Sequence, residues 1–380
     1  MSNRDFLHQL REPGAAVYGE RSRWLRFQFD PLLSLLVMAV MGVGLMVLYS
    51  ADDSGHAQLR RQGMYMIVGL VIMLVTAQFS PRLLERWAWW PYGLAVLLLL
   101  AVDLIGSDAK GARRWLALGP VRFQPAELMK LALPMVLSAY LAARPLPPRL
   151  RHLGVVLAVM AVPLVLVVLQ PDLGTAVLIG SGGAFVLFLA GLGLRYVLLA
   201  SLGALVAAPI MWLFVLHEYQ KTRVLTLLDP ESDKLGAGWN IIQSTTAIGS
   251  GGWFGKGWMQ GTQSQLDFLP EGHTDFIIAV LAEEFGLVAV LGLLSLYLLI
   301  ILRGLAISRD ASSPFAQMLS GSIVLTFFVY VFVNMGMVAG LLPVVGVPLP
   351  MVSYGGTSVV TLSIGFGILM AIRSETGRRG

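Results

Sequence analysis

Residues 266–284 read LDFLPEGHTDFIIAVLAEE and gather five carboxylates (Asp267, Glu271, Asp275, Glu283, Glu284) and one imidazole, His273. Carboxylates beside apolar sequence act as general acids or bases, hold cations, or pair with buried bases, because partial desolvation and neighbouring charge tune their pKa. Asp275 is the sharpest candidate, since it stands where a polar run meets the apolar FIIAVL. Thr274 or Asp275 in that place also suits the N-cap of the following helix, where an acidic side chain meets the positive helix end. The two roles are compatible, because a capped helix start is a rigid mount. Glu271 and His273 lie in a turn opened by Pro270 and Gly272, and His273 is open to proton transfer, metal binding or a structural contact. Glu283 and Glu284 lie roughly 12–13.5 Å further along a helix, too far to share one small site with Asp275. One of the two is expected to point inward, where it needs a basic or hydroxyl partner.

A second group opens at RFQPAELMK, residues 122–130. Pro125 suits the first turn of a helix, and Glu127 and Lys130 share a face at i,i+3. Two unlike charges in an apolar segment neutralise each other; alternatively Lys130, with Arg122 and Gln124 above it, faces an anionic substrate group. Arg113 and Arg114 in KGARRW, with Arg223 and Lys256 further on, extend the set of cations. A cationic group across a cleft from a carboxylate is what transfer chemistry on a diphosphate requires. Asp172 in QPDLGT is expected to cap a helix. The run VGVPLPMVSYGGTS (345–358) is irregular, Pro- and Gly-rich backbone of the kind tolerated at membrane depth only when buried or lining a cavity. The glycines of GSGGWFGKG follow no strand and match no phosphate-loop pattern, so nucleotide binding is set aside.

These groups are set in an oily chain. Of 380 residues 56% are hydrophobic and 13% charged, with no cysteine, and the mean hydropathy is +0.75. An all-α integral membrane protein is expected, without disulfides or thiolate chemistry and with no call for nucleotide, haem or flavin. The net charge of +5 is explained by basic residues flanking membrane segments rather than by nucleic acid. Apolar runs near 30–50, 62–79, 88–106, 124–142, 153–169, 174–192, 195–216, 276–302, 315–340 and 354–372 predict about ten transmembrane helices. With the N-terminus inside, sixteen of the 27 Lys and Arg fall on the inner side and ten outside, which predicts both termini in the cytoplasm. Residues 1–29 read as a basic cytoplasmic arm, 30–372 as the membrane domain and 373–380 as a cytoplasmic tail. Residues 217–275 form one large outside loop, whose Trp239, Ile241, Trp253, Phe254 and Trp258 predict short interfacial helices.

The motifs RFQPAELMK, QPDLGTA, LLDPESDKLGAGWNIIQS, AIGSGGWFGKGW, GTQSQLDFLPEGHTDFIIAVLAEEFG and GLLPVVGVPLPMVSYGG, in this order, strongly resemble the SEDS family of shape, elongation, division and sporulation proteins. GTQSQLDFLPE and LLDPESDKLGAG favour its elongation branch over its division branch. The resemblance implies a peptidoglycan glycosyltransferase that polymerises lipid II at the outer face of the bacterial cytoplasmic membrane and releases undecaprenyl diphosphate. It places the family's essential aspartate on Asp275 and its charged pair on Glu127 and Lys130. Implied partners are a class B penicillin-binding transpeptidase, other membrane proteins of the elongation machinery, lipid II and undecaprenyl-linked glycan. In the resulting expectation Asp275 is the general base, or else a ligand for a divalent cation, Mg²⁺ or Mn²⁺, shared with the diphosphate. The rival expectation is a lipid II flippase without chemistry.

Overall fold

The computed structural model describes residues 28–51, 57–109, 112–118, 121–214, 218–233, 237–266, 268–269 and 271–377. Most of the basic N-terminal arm and the last three residues lie outside them. A helix occupies each of the ten apolar runs: α1 (Pro31–Ala51), α2 (Ala57–Ala77), the bent pair α3 (Pro81–Trp87) and α4 (Trp89–Ile105), α5 (Pro125–Ala142), α6 (Leu150–Leu169), α7 (Leu173–Leu189) and α8 (Leu194–Phe214). The 217–275 region supplies α9 (Glu218–Leu228), a 3₁₀ turn (Pro230–Asp233), α10 (Ala237–Gly251) and the short α11 (Thr262–Gln265). Then come α12 (Ile277–Arg309), α13 (Pro314–Val338) and α14 (Gly356–Gly377).

Among the described residues, α1, α2, α6, α12, α13 and most of α14 are long and apolar enough to cross a membrane, and α3 with α4, bent by 50°, makes a seventh if counted as one span. Helix α7 is shorter, and α5 carries the charges of Glu127 and Lys130. The chain is a multi-pass membrane protein. Its outer faces carry exposed Trp90, Leu104, Leu205 and Phe214 while Gln62, Glu283, Glu284 and Asn334 are fully buried, the arrangement expected where lipid replaces water as the surrounding solvent.

The all-α expectation holds, with one small addition. Three short strands, β1 (Ser107–Ala109), β2 (Ala112–Leu118) and β3 (Val121–Phe123), form an antiparallel sheet in the order β1-β2-β3. Backbone groups outside a helix need partners as much as those within one, and between α4 and α5 this ladder supplies them.

Local chemistry sets the helix starts. Pro31, Pro81, Pro125 and Pro314 occupy first-turn positions, where the missing N–H is no loss. Ser313 caps α13 through Ala316 N at 3.2 Å, and Asp172 caps α7 through Thr175 N at 3.2 Å. Asp30 accepts from Leu33 N at the start of α1 and pairs with Arg303 of α12 at 2.7 Å. One apolar core joins α1, α2, α12, α13 and α14, and a second joins α4 to α7. Helix α13 packs on both α12 and α7, so it connects the two halves.

Candidate active site

Residues 271–276 wind into a turn ahead of α12. Gly272 N donates to the Leu269 carbonyl at 2.9 Å, while Thr274 N and Phe276 N both donate to the Glu271 carbonyl, at 3.1 and 3.2 Å. The Thr274 hydroxyl donates to the Glu271 carboxylate at 2.7 Å. Helix α12 begins only at Ile277, with Phe276 as its N-cap and no side-chain cap. The N-cap reading of Thr274 or Asp275 is therefore corrected: Phe276 holds that place, its carbonyl accepting from Ala279 N at 2.9 Å, and Asp275 stands half-buried on the turn itself.

Three successive carbonyls of this turn are held from outside it. Tyr354 N donates to the His273 carbonyl at 3.0 Å, Ser353 Oγ to the Thr274 carbonyl at 2.6 Å, and Asn334 Nδ2 to the Asp275 carbonyl at 2.9 Å. Asn334 comes from α13; Ser353 and Tyr354 come from the irregular stretch after α13. That stretch is itself braced. Gln62 of α2 donates to the Ser353 carbonyl and accepts from Gly355 N, both at 3.1 Å, and Tyr297 donates to the Pro350 carbonyl at 2.7 Å. Gly346 turns with φ +72°, and a Cβ built there would lie 3.6 Å from Asp275 Oδ2. Backbone thus forms one wall beside the carboxylate. The ring of His273 meets Tyr354 edge-on at 6.4 Å.

The remaining candidates fall into three places. Glu127 and Lys130 pair at 2.7 Å with both side chains about 5% exposed, and the ammonium lies over the Tyr330 ring at 4.8 Å. Tyr330 in turn packs with Val347 and Leu178, so the pair adjoins the Gly346 wall through one aromatic ring. Arg114 and Gln124 gather on the capping carboxylate of Asp172, at 3.6 and 3.1 Å, and Arg114 also donates to the Pro171 carbonyl at 2.6 Å. Arg223 of α9 donates to the Val344 carbonyl at 3.1 Å. Arg114, Arg223, Gln220, Gly174, Pro343 and Val345 line a cavity of about 80 Å³, so two guanidinium groups border a pocket that touches the same wall. Arg122 and Arg113 stand on β3 and β2.

Lys256 is engaged elsewhere. It meets Glu283 at 2.7 Å and also donates to Thr262 at 2.7 Å. Glu283 further accepts from Gln263 N and Ser264 N at 3.0–3.2 Å, while Glu284 accepts from Ser50 of α1. The expectation that only one of these glutamates points inward is corrected, since both are fully buried. They are covered from two sides, Glu283 by the loop that carries Lys256 and Glu284 by α1; just beyond them α12 breaks at Gly286, where φ is +73° and ψ −171°. The carbonyls and amides released by the break are taken up by the glycine-rich loop. Lys256 N and Gly257 N donate to the Glu283 and Glu284 carbonyls, and Leu287 N and Val288 N donate to those of Gly252 and Trp253, all at 2.9–3.1 Å. GSGGWFGKG is glycine-rich because its backbone lies directly on another backbone: a Cβ at Gly251 or Gly255 would meet the α12 main chain at 1.9 and 2.1 Å.

Asn334, Ser353, Gln62 and Gly346 were missed by sequence reasoning. Only the polar, proline-rich character of 345–358 pointed to the wall. Among the described residues no three His, Asp or Glu side chains converge in a way that would hold a metal ion.

Residues 26–378 match the model of the cell cycle proteins FtsW, RodA and SpoVE. The chain belongs to the SEDS family. Within it, the chain is 50% identical to the peptidoglycan glycosyltransferase MrdB of Escherichia coli K12 over 356 residues, covering 94% of this chain and 96% of that protein. It is 35% identical to a probable peptidoglycan glycosyltransferase FtsW of Geobacter metallireducens, covering 92% and 95%. A chain from a peptidoglycan synthase complex, described as coordinating polymerization and crosslinking, superposes with TM-score 0.80 at 32% identity over 92% of this chain and 98% of that one. The rod shape determining protein RodA of Thermus thermophilus superposes with TM-score 0.69 at 30% identity, over 91% and 96%.

Proposed function

We propose that this chain is a peptidoglycan glycosyltransferase of cell elongation, which polymerises lipid II at the outer face of the bacterial cytoplasmic membrane. The observation that carries the mechanism is the placing of Asp275. Its half-buried carboxylate stands on a turn whose three carbonyls are tied down, against the Gly346 wall, with the Arg114 and Arg223 cavity bordering the next residue of that wall. The ten helices cross the membrane, both termini lie in the cytoplasm, and the 217–275 segment with Asp275 lies outside.

In the reaction the 4-hydroxyl of an acceptor N-acetylglucosamine attacks the anomeric carbon of the donor N-acetylmuramic acid. The new C–O bond is the β-1,4 link, and the bond to undecaprenyl diphosphate breaks with its electron pair on the leaving oxygen. The Asp275 carboxylate takes the hydroxyl proton, for which it must come within about 2.6–3.2 Å of that oxygen. Arg223 and Arg114 line the cavity beside the wall and are the first candidates for the departing diphosphate, Arg114 being shared with Asp172, with Arg113 and Arg122 on the sheet; Lys130 and Lys256 are matched by Glu127 and Glu283. A divalent cation, Mg²⁺ or Mn²⁺, is a variant of the same site. Asp275 would share it with the substrate's phosphates, the usual composition of a Mg²⁺ site.

The partner in this reading is a class B penicillin-binding transpeptidase, supported by the similarity to a chain of a synthase complex described as coordinating polymerization and crosslinking; the other membrane proteins of the elongation machinery are further partners that membership of the family implies. Purified protein with lipid II in detergent, with and without that transpeptidase, tests the reading. Glycan strands are expected from the wild type, with loss in Asp275→Asn. Lipid II translocation in vesicles with no polymer formed would instead favour a flippase.

A further inference from the structure

We infer that Asn334 is a positioning residue for Asp275, setting the carboxylate against the Gly346 wall by tying the Asp275 carbonyl to that of Val347. The inference rests on the catalytic reading of Asp275. Asn334 is fully buried in α13. Its amide nitrogen donates to the Asp275 carbonyl at 2.9 Å and to the Val347 carbonyl at 2.8 Å. One side chain therefore bridges the residue that bears the carboxylate and the residue after Gly346.

The other half of the amide argues that this bridge is what Asn334 is for. Its Oδ1 is buried with no hydrogen-bond partner, and a buried polar atom without a partner opposes folding. An apolar residue of similar size would avoid that penalty but would leave both carbonyls unheld. Ser353 and Tyr354 hold the neighbouring carbonyls from the far end of the hairpin; of the three donors, Asn334 is the one that reaches Asp275 itself. One turn earlier on the same face of α13, Tyr330 packs against Val347, so a rigid helix grips the wall twice and the catalytic turn once. Without the amide, the turn stays tied at His273 and Thr274, but Asp275 itself loses its link to the wall. A misplacement of about 1 Å at a reacting group lowers rate roughly 10²-fold.

The test uses the purified full chain with lipid II, comparing wild type, Asp275→Asn, Asn334→Leu, Asn334→Ser and Thr326→Val. Thr326 lies on the same face of α13 two turns away and serves as the control for general damage to the helix. Asn334→Leu should lose kcat roughly 10²-fold, with KM within about threefold of wild type. Hydrogen exchange of the 271–281 backbone should speed up at the same time. Asn334→Ser, which has a hydroxyl too short to bridge both carbonyls and little bulk to disturb folding, should fall in the same direction. Thr326→Val should polymerise at the wild-type rate. A folded Asn334 variant with wild-type kcat and unchanged exchange at 271–281 would overturn the inference, as would an equal loss in Thr326→Val. If the wild type makes no glycan, the polymerase reading has failed, and exchange at 271–281 alone decides whether Asn334 holds the turn.

Discussion

The ammonium of Lys256 stands 2.7 Å from the fully buried carboxylate of Glu283, in a place that continuous helix would have denied it. Glu283 lies on the short first section of α12 that follows Asp275, and Lys256 lies on the loop that closes the break at Gly286. The ion pair joins the mount of the site to the largest connection in the chain. That pairing leads to the first prediction.

Glu283→Lys should lower the yield of folded protein and abolish polymerisation, because it sets two ammonium groups together and strands Ser264 N and Gln263 N. Removing one partner of a buried pair costs about 3–5 kcal/mol. The exchanged pair, Glu283→Lys with Lys256→Glu, should recover a substantial part of the melting temperature. If the double variant melts no higher than Glu283→Lys alone, the pair is not what joins loop and helix.

Glu127→Ala should destabilise the protein by about 3–5 kcal/mol, since it leaves the Lys130 charge in an apolar interior. Glu127→Ala combined with Lys130→Met should melt above Glu127→Ala, because the stranded charge is gone. Thermal unfolding in detergent measures both. An unchanged melting profile in the single variant would refute a buried, interdependent pair.

Gly346→Ala should be folded but slow. The added methyl would meet the Asp275 carboxylate at ordinary contact distance, 3.6 Å, while φ of +72° strains any L-residue. The strain costs on the order of 1–2 kcal/mol, visible as a modest fall in melting temperature. The methyl should also narrow the approach to the carboxylate and reduce kcat at least tenfold. Wild-type kcat in a folded Gly346→Ala protein would mean that the wall does not border the reacting atoms.

Arg223→Ala should raise KM for lipid II roughly tenfold, equivalent to about 1.4 kcal/mol of binding. Arg223→Lys should recover only part of it, because a lysine lacks the planar fork that meets phosphate oxygens and the Val344 carbonyl together. Steady-state kinetics over a range of lipid II concentration decide this. An unchanged KM in Arg223→Ala would place the diphosphate elsewhere.

Much of this was legible in the amino acids, for reasons of short range. The ten helical segments follow from runs of apolar side chains, and the caps at Asp172 and the Pro125 helix start follow from one-turn geometry. The Glu127–Lys130 contact follows from i,i+3 spacing, and Asp275 stands out because a carboxylate at an apolar boundary is costly. The strands at 107–123 were missed because they are short and contain the same residue types as a polar loop.

What only the tertiary structure decided depends on contacts between residues far apart in the chain. Asn334 is an unremarked amide in an apolar helix until the Asp275 carbonyl, 59 positions away, arrives beside it. Gln62 is likewise anonymous until it meets Ser353. Both inward glutamates are covered by distant segments, Glu283 by the Lys256 loop and Glu284 by Ser50 of α1, and the break at Gly286 is tolerable because that loop, some thirty residues earlier, takes up the backbone groups it frees. A sequence displays which groups are costly to bury; which partner relieves that cost is settled by the packing of distant segments, because hydrogen bonds and ion pairs act over a few ångströms of space.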